Sequence, residues 1–248
     1  MARAAVVIPC FNEAARLAVA AIRAELVRSP EVDLVLVDDG STDGTRARLH
    51  ELARGLEPRV AVLALEPNQG KAEAVRQGLL AALARKPGYV GYWDADLATP
   101  IEVIEDFRRL LEAKPALEFV TGARVALLGR DIDRQPLRHY VGRVFATAAS
   151  LTLGMPIYDT QCGAKLLRVL PHTRELFAEP FVGRWVFDIE ILARRKVLAR
   201  DRGLPAVEDV LYEFTLNRWH DVAGSKVKPL DLLRSLWQLR KIRRRYFG

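Results

Sequence analysis

Tyr89-Val90-Gly91-Tyr92-Trp93-Asp94-Ala95-Asp96 decides how this chain is read. Residues 89–93 form a short, largely apolar run, which suits a buried strand. Two carboxylates, one residue apart, stand where that strand must end. Carboxylates are costly to leave unpaired in a partly buried place. A divalent cation that also holds a diphosphate would satisfy both. Mg²⁺ and Mn²⁺ take oxygen ligands and are often held by one or two carboxylates plus substrate phosphates. Asp94 and Asp96 are therefore the candidate metal ligands, with Mg²⁺ or Mn²⁺ as the cofactor. An Asp-rich turn capping the next helix is the other reading of the same residues.

Outward from this stretch, strand-like and helix-like runs alternate. Ala4–Ile8, Leu34–Val37, Val60–Leu65, Tyr89–Trp93 and Leu117–Thr121 read as strands. Glu13–Val27, Thr42–Leu52, Lys71–Ala84 and Ile101–Leu111 read as helices. That order predicts βαβ units, hence an α/β fold with a mostly parallel central sheet flanked by helices. Ligands in such sheets bind beyond the carboxyl ends of the strands. The distinctive residues all fall there: Pro9-Cys10-Phe11-Asn12-Glu13, Asp38-Asp39-Gly40-Ser41-Thr42-Asp43-Gly44, Asn68-Gln69-Gly70-Lys71 and Asp94-Ala95-Asp96. No Gly-x-Gly-x-x-Gly follows the first strand, and Gly70-Lys71 lacks the P-loop frame. Ser41 or Thr42 is expected to cap the following helix. Gly40, Gly44 and Gly70 are expected in turns that need φ > 0.

The second half is less regular. Pro136–Gly154 and Trp185–Val197 read as helices, Glu208–Asn217 as a strand. Segment 158–165 is polar and glycine-containing between apolar runs, and 217–226 reads as a loop. No repeat or low-complexity linker interrupts the 248 residues, so one domain over 1–228 is expected, followed by a basic amphipathic helix over 229–248. From Lys226 onward there are eight Lys and Arg against one acid, which equals the whole net charge of +7. The high pI thus belongs to the tail and does not point to nucleic acid. A basic amphipathic helix carrying Trp237, Tyr246 and Phe247 suits an anionic membrane surface; packing on the body by its leucines is the other reading. No apolar run of about 18 residues is present to cross a membrane. The N-terminus enters a strand-like segment directly, so no signal peptide is expected. Cys10 and Cys162 show no metal spacing and are expected to be reduced thiols.

Taken together, Val6-Val7-Ile8-Pro9-Cys10-Phe11-Asn12-Glu13, Val35-Leu36-Val37-Asp38-Asp39-Gly40-Ser41-Thr42-Asp43-Gly44, Asn68-Gln69-Gly70-Lys71 and Asp94-Ala95-Asp96 resemble the nucleotide-binding half of inverting glycosyltransferases with the GT-A fold. Asp159-Thr160-Gln161-Cys162-Gly163-Ala164-Lys165-Leu166, Arg184-Trp185-Val186-Phe187-Asp188-Ile189-Glu190 and Gly224-Ser225-Lys226-Val227 are similar to dolichyl-phosphate glucosyltransferases and, less closely, to dolichyl-phosphate mannose synthases.

The resemblance implies a nucleotide-binding N-terminal half and an acceptor-binding C-terminal half. It implies transfer of a hexose from a nucleotide sugar, UDP-glucose first, to a polyprenyl phosphate. Pro9, Phe11, Asn12, Glu13, Val37 and Asp39, with Gly70, Lys71 and His220, would meet the donor. Asp94, Ala95 and Asp96 would hold metal and diphosphate. Arg124 and Lys226 match basic residues that meet phosphates. Ala98 and His220 depart from the mannose synthase pattern, which often has Gln and Arg there, and so weigh against GDP-mannose as the alternative donor. Eukaryotic glucosyl enzymes begin with a membrane anchor that this sequence does not show. A peripheral enzyme on the cytoplasmic membrane face is therefore expected.

An acceptor phosphate has a second pKa near about 6 and needs positioning more than a base. Arg130, Arg134, Arg138 and Arg143 are available to hold it. A sugar or small soluble acceptor remains the alternative. A hydroxyl acceptor would require a base, with Asp159 first and Asp188 second. A basic-tailed binding module without catalysis is the third reading.

Overall fold

Alternation along the first two strands divides the core into two layers. In the computed structural model, which describes residues 2–133, 136–220 and 229–248, β1 (Ala4–Cys10) and β2 (Val32–Asp39) pair in parallel. They turn Val7, Val35 and Val37 to one face, and Val6, Ile8, Leu34 and Leu36 to the other. The first face is covered by α3 (Lys71–Ala84), α5 (Pro136–Leu153), α6 (Phe187–Arg202) and α8 (Pro229–Tyr246). The second lies under α1 (Val19–Arg28), α2 (Thr45–Ala53) and α4 (Val103–Ala113). Helices on both faces bury the strands twice, which explains their near-continuous apolar composition.

The seven-stranded sheet has the order β3-β2-β1-β4-β7-β5-β8. Its remaining strands are β3 (Val60–Leu65), β4 (Tyr89–Trp93), β5 (Phe119–Ala123), β7 (Ala164–Arg168) and β8 (Leu211–Thr215). The order reverses between β1 and β4, so a crevice opens beyond their carboxyl ends. All pairings are parallel except those of β7, which runs antiparallel between β4 and β5. A small parallel pair, β6 (Asp131–Asp133) with β9 (Arg218–His220), lies apart from the main sheet. Among the described residues no helix is long and apolar enough to cross a membrane.

Several boundaries differ from the sequence reading. The first helix starts at Val19, not Glu13, because the backbone N–H groups of residues 12–14 are drawn to side chains of the loop after β2 and the start of the next helix. Strand β7 begins inside the polar segment 158–165, where Lys165 interrupts the apolar run that would have marked a strand. The expected strand from Glu208 opens with one helical turn, α7 (Val207–Val210), before β8. Part of the expected 217–226 loop is β9.

Helix α3 crosses β1 and β2 at Gly78. A Cβ there would fall onto Val7 Cγ1 and within 2.8 Å of Val37 Cγ2, both on stiff β-branched side chains. We expect Gly78→Ala to destabilise the fold despite the roughly 1 kcal/mol that helix propensity favours it by. Overpacking of this kind costs about 1–3 kcal/mol. A lower urea midpoint with an unchanged slope would be the expected observation; a raised midpoint would contradict it.

Candidate active site

The crevice is built by tying strand-end loops to one another. After β1, Asn12 sits at φ +53°, a conformation that asparagine tolerates better than most residues. Its N–H donates to Ser41 Oγ at 3.1 Å, and its Oδ1 accepts the Thr42 N–H at 2.9 Å. The Glu13 N–H reaches Thr45 Oγ1 at 2.7 Å, and the Glu13 carboxylate is forked by Arg16. Ser41 and Thr42 therefore serve the neighbouring loop. The start of α2 is served instead by Asp43, which accepts the Thr45 N–H at 2.9 Å. Gly40 and Gly70 take positive φ as expected, +66° and +94°, whereas Gly44, at −74°, does not.

Asp39 is 2 % exposed and is spent on the next loop. It accepts Asn68 Nδ2 at 2.9 Å, the Gln69 N–H at 2.8 Å and the Gly70 N–H at 2.9 Å. Burial pushes its carboxyl up, and the two amide bonds oppose that rise. Val37, expected among the donor contacts, has its side chain fully buried against α3, so only its backbone could meet a ligand. Pro9 and Phe11 are half-buried at the end of β1.

The carboxylate pair lies at the end of β4. Asp94 Oδ1 is 2.5 Å from Lys71 Nζ, and the Asp94 N–H donates to the Gly163 carbonyl at 2.9 Å. Burial presses the Lys71 ammonium down in pKa, but Asp94 outweighs it and holds it up. A Cβ on Gly163 would fall onto the Asp94 carboxylate, so only glycine permits this approach. Asp96 accepts the Ala98 N–H at 3.1 Å. Burial raises its carboxyl, and the neighbouring charge of Asp94 raises it further. Directly after Asp96, Leu97 is held at φ +51°, rare for a bulky residue and a sign of local strain.

Two carboxylates this close, one already pushed toward its neutral form, suit a divalent cation. Their hard oxygens match Mg²⁺ or Mn²⁺. Among the described residues no cluster of three or more His, Cys, Asp or Glu could hold a metal alone. A cation at Asp94 and Asp96 would thus take its other oxygens from diphosphate and water, as Mg²⁺ commonly does.

Both candidate bases are occupied. Asp159 is 6 % exposed and accepts Arg124 Nε and Nη2, each at 2.7 Å, and the Arg124 N–H at 3.1 Å. Burial would raise its carboxyl, but the Arg124 guanidinium holds it well below the usual carboxylate range. Glu213 takes the backbone N–H groups of Tyr158 and Asp159. Both oxygens are bound and the group is a poor proton acceptor, which weighs against the base role expected of Asp159. Asp188 is 2.6 Å from Lys165 Nζ and also receives the Tyr92 hydroxyl. Lys165 further donates to the carbonyls of Thr160 and Cys162.

The remaining expected residues are scattered. His220 pairs with Asp131 at 2.8 Å across the small β6–β9 pair. Arg143 donates to the Tyr158 carbonyl at 2.9 Å and stacks on the Tyr158 ring at 3.9 Å. Arg130 is exposed just before β6, and Arg138 belongs to α5. Lys226 and Arg134 lie outside the described residues.

Two further residues were not singled out from sequence. Lys165 could have been found as a lone cation in the apolar run 164–167. Arg184 could not: its stem passes 3.3 Å from where a Gly70 Cβ would be, a contact across more than a hundred residues.

A family model described as glycosyl transferase family 2 matches residues 5–172. A dolichyl-phosphate beta-glucosyltransferase of Trichomonas vaginalis is 29% identical over 240 residues, covering 92% of this chain and 67% of that protein. That of Drosophila melanogaster is 31% identical over 249 residues, covering 90% and 69%. The crystal structure of glucosyl-3-phosphoglycerate synthase from Mycobacterium tuberculosis with Mn²⁺, UDP-glucose and phosphoglyceric acid has a TM-score of 0.64 at 22% identity, covering 97% of this chain and 77% of that one. That last likeness carries the fold alone, and the fold is GT-A, as the motifs implied. The dolichyl-phosphate glucosyltransferase resemblance is also the one these relatives return.

We expect Gly163→Ala to displace the Asp94 carboxylate and weaken nucleotide binding at least about tenfold, on the scale of other supporting changes around metal ligands. Calorimetric titration with UDP and Mn²⁺ measures it, and unchanged affinity would contradict it. Asp159→Asn should cost about 3–5 kcal/mol at pH 7, because it leaves Arg124 buried without its partner. The folded carboxyl of Asp159 is depressed, so its contribution is complete above the unfolded pKa, about 3.9, and fades as pH falls below it. Urea titrations should therefore show the gap between the two proteins narrowing from pH 7 to pH 3.

Proposed function

The chain belongs to glycosyl transferase family 2, and from that premise we propose that it transfers glucose from UDP-glucose to a polyprenyl phosphate, with inversion at the anomeric carbon. The observation that carries this reading is that Asp159 and Asp188 are both locked in buried ion pairs. A hydroxyl acceptor needs a free base near the reacting oxygen. A phosphate monoester is largely ionised at neutral pH, its second pKa being about 6, and needs none. The dolichyl-phosphate glucosyltransferases among the relatives support a lipid phosphate as acceptor and glucose as the sugar.

Asp94 and Asp96 are the proposed ligands of Mg²⁺ or Mn²⁺, which when bound would supply Lewis-acid stabilisation of the departing diphosphate. The Mn²⁺ and UDP-glucose in the M. tuberculosis neighbour support this assignment. Lys71 fixes the Asp94 carboxylate and sets a positive charge at the start of α3, beside the donor loop. Asp39 shapes that loop through residues 68–70, while Pro9, Phe11, Asn12 and Glu13 line the end of β1 for the base and ribose. Ala95 is buried between the two carboxylates. Arg124, tied to Asp159, positions the segment that brings Gly163 under Asp94. Lys226 adds charge where it develops on the leaving group. Arg130, Arg134, Arg138 and Arg143 remain the basic residues proposed to meet the acceptor phosphate. The tail helix places the enzyme on the cytoplasmic face of a membrane, where a lipid-linked acceptor resides.

A radiolabelled transfer assay tests the reading. UDP-glucose, UDP-GlcNAc and GDP-mannose are offered in turn with Mg²⁺ or Mn²⁺ and a polyprenyl phosphate, and label is counted in the organic phase. Glucose should enter that phase, and Asp96→Ala should lower the rate by about a hundredfold or more, the scale of removing one preorganised charge group. Label that stays in water with every donor would overturn the lipid acceptor.

A further inference from the structure

Helix α5 is apolar on two sides. Its inner side is explained by the fold: Phe145, Ala146, Ala149 and Leu153 are buried in the core layer shared with α6 and α8. Its outer side is not. Val144 is 62% exposed and Leu151 71%, seven residues apart on one stripe, with Tyr140 at 70% one turn earlier. Helix α8 packs beside α5 and inserts Leu239 and Ile242 into the same core layer. Its opposite side presents Trp237, 59% exposed, with Lys241 Nζ 3.6 Å over the indole. Arg240, Arg243, Arg244 and Arg245 are exposed around it.

We propose that the outer stripe of α5 and the Trp237 side of α8 form one docking surface for an anionic lipid bilayer. This deepens the reading of a lipid-borne acceptor and rests on it. Apolar side chains beside an exposed Trp and a ring of arginines match the two layers of an interface: the aliphatic groups enter the acyl boundary while the cations meet headgroup phosphates. The charge complementarity argues for lipid over a second copy of the chain, since the cluster of like charge on α8 would face itself across a two-fold axis. The surface also lies close to the site. Gly183 is packed so tightly on Gln238 of α8 that a Cβ would fall onto the Gln238 amide, and the next residue, Arg184, lies over Gly70 of the donor loop. A bilayer touching α8 would therefore lie near the crevice, where a lipid-linked phosphate has to arrive.

The test compares the full chain with Val144→Asp/Leu151→Asp and with Arg243→Glu/Arg244→Glu. All of these positions are exposed, and circular dichroism confirms that each variant is folded. Sedimentation with phosphatidylglycerol-containing vesicles should show binding that weakens with salt. The α5 double variant should bind roughly tenfold or more weakly, having lost the transfer of two aliphatic side chains. The arginine variant should bind more weakly and with a smaller salt dependence, since Arg240, Lys241 and Arg245 remain. Lipids brominated in the acyl chain should quench tryptophan emission in the parent and not in Trp237→Phe. Vesicle binding unchanged in the α5 variant would overturn the proposal. So would light scattering that shows a dimer which this variant converts to monomer. Transfer to a short, water-soluble polyprenyl phosphate separates the two readings. The α5 variant should keep that activity; a parent that binds vesicles but transfers to no polyprenyl phosphate refutes the acceptor and leaves the surface standing.

Discussion

Negative charge confined at the end of β4 is the constraint on which the rest of the structure depends. Asp94 is pressed onto the backbone of residue 163, a contact that only glycine permits, and is balanced by Lys71 from the start of α3. Asp96 stands one residue further on, raised by burial and by its neighbour. The protein spends local strain to keep this arrangement, holding Leu97 at positive φ. Lys71 and Gly70 must then be placed accurately, and Asp39 does so by taking the amides of residues 69 and 70. Asp39 in turn ends β2, so the loop after β3 is bound to the sheet next to β1. The crevice is thus a set of loops that define one another, supported by a rigid parallel sheet.

A second pattern concerns which carboxylates remain available. Around β5, β7 and α6, Asp159 binds Arg124, Asp188 binds Lys165 and Tyr92, and Glu118 binds Arg195 and His172. Each is a buried acid satisfied by a cation. Pairs of this kind contribute little net stability beyond what an apolar replacement would supply, but breaking one is costly. Their effect here is to join β5, β7 and α6 across the sheet while leaving no uncommitted acid among them. Chemistry that does not depend on a general base is consistent with such a site, and an ionised phosphate acceptor is the simplest case.

Elements with a strong period were legible in the sequence. Val60–Leu65, Lys71–Ala84 and Tyr89–Trp93 have the boundaries expected, because their apolar spacing and their flanking turns agree. The strand-end position of the Asp94/Asp96 pair followed from the same logic. Elements decided by distant contacts were not legible. Residues 13–18 have helix-like composition, yet the Glu13 and Ala14 amides are committed to Thr45 and Asp43, as the Asn12 amide is to Ser41. Lys165 disguised β7, and its partners Asp188 and the Thr160 and Cys162 carbonyls become apparent only once the chain is folded.

By itself, the sequence determined the α/β layering, the four loops at the carboxyl ends of the strands and the carboxylate pair within them. These depend on hydrophobic period and turn chemistry, which act over a few residues. Only the tertiary structure decided what the polar groups do. It gave Asp159 to Arg124, His220 to Asp131, Arg184 to the donor loop, and the tail helix to the core through Leu239 and Ile242. The reason is physical: a buried charge takes whichever partner the folded chain brings within about 3 Å, and no local pattern encodes which partner that will be.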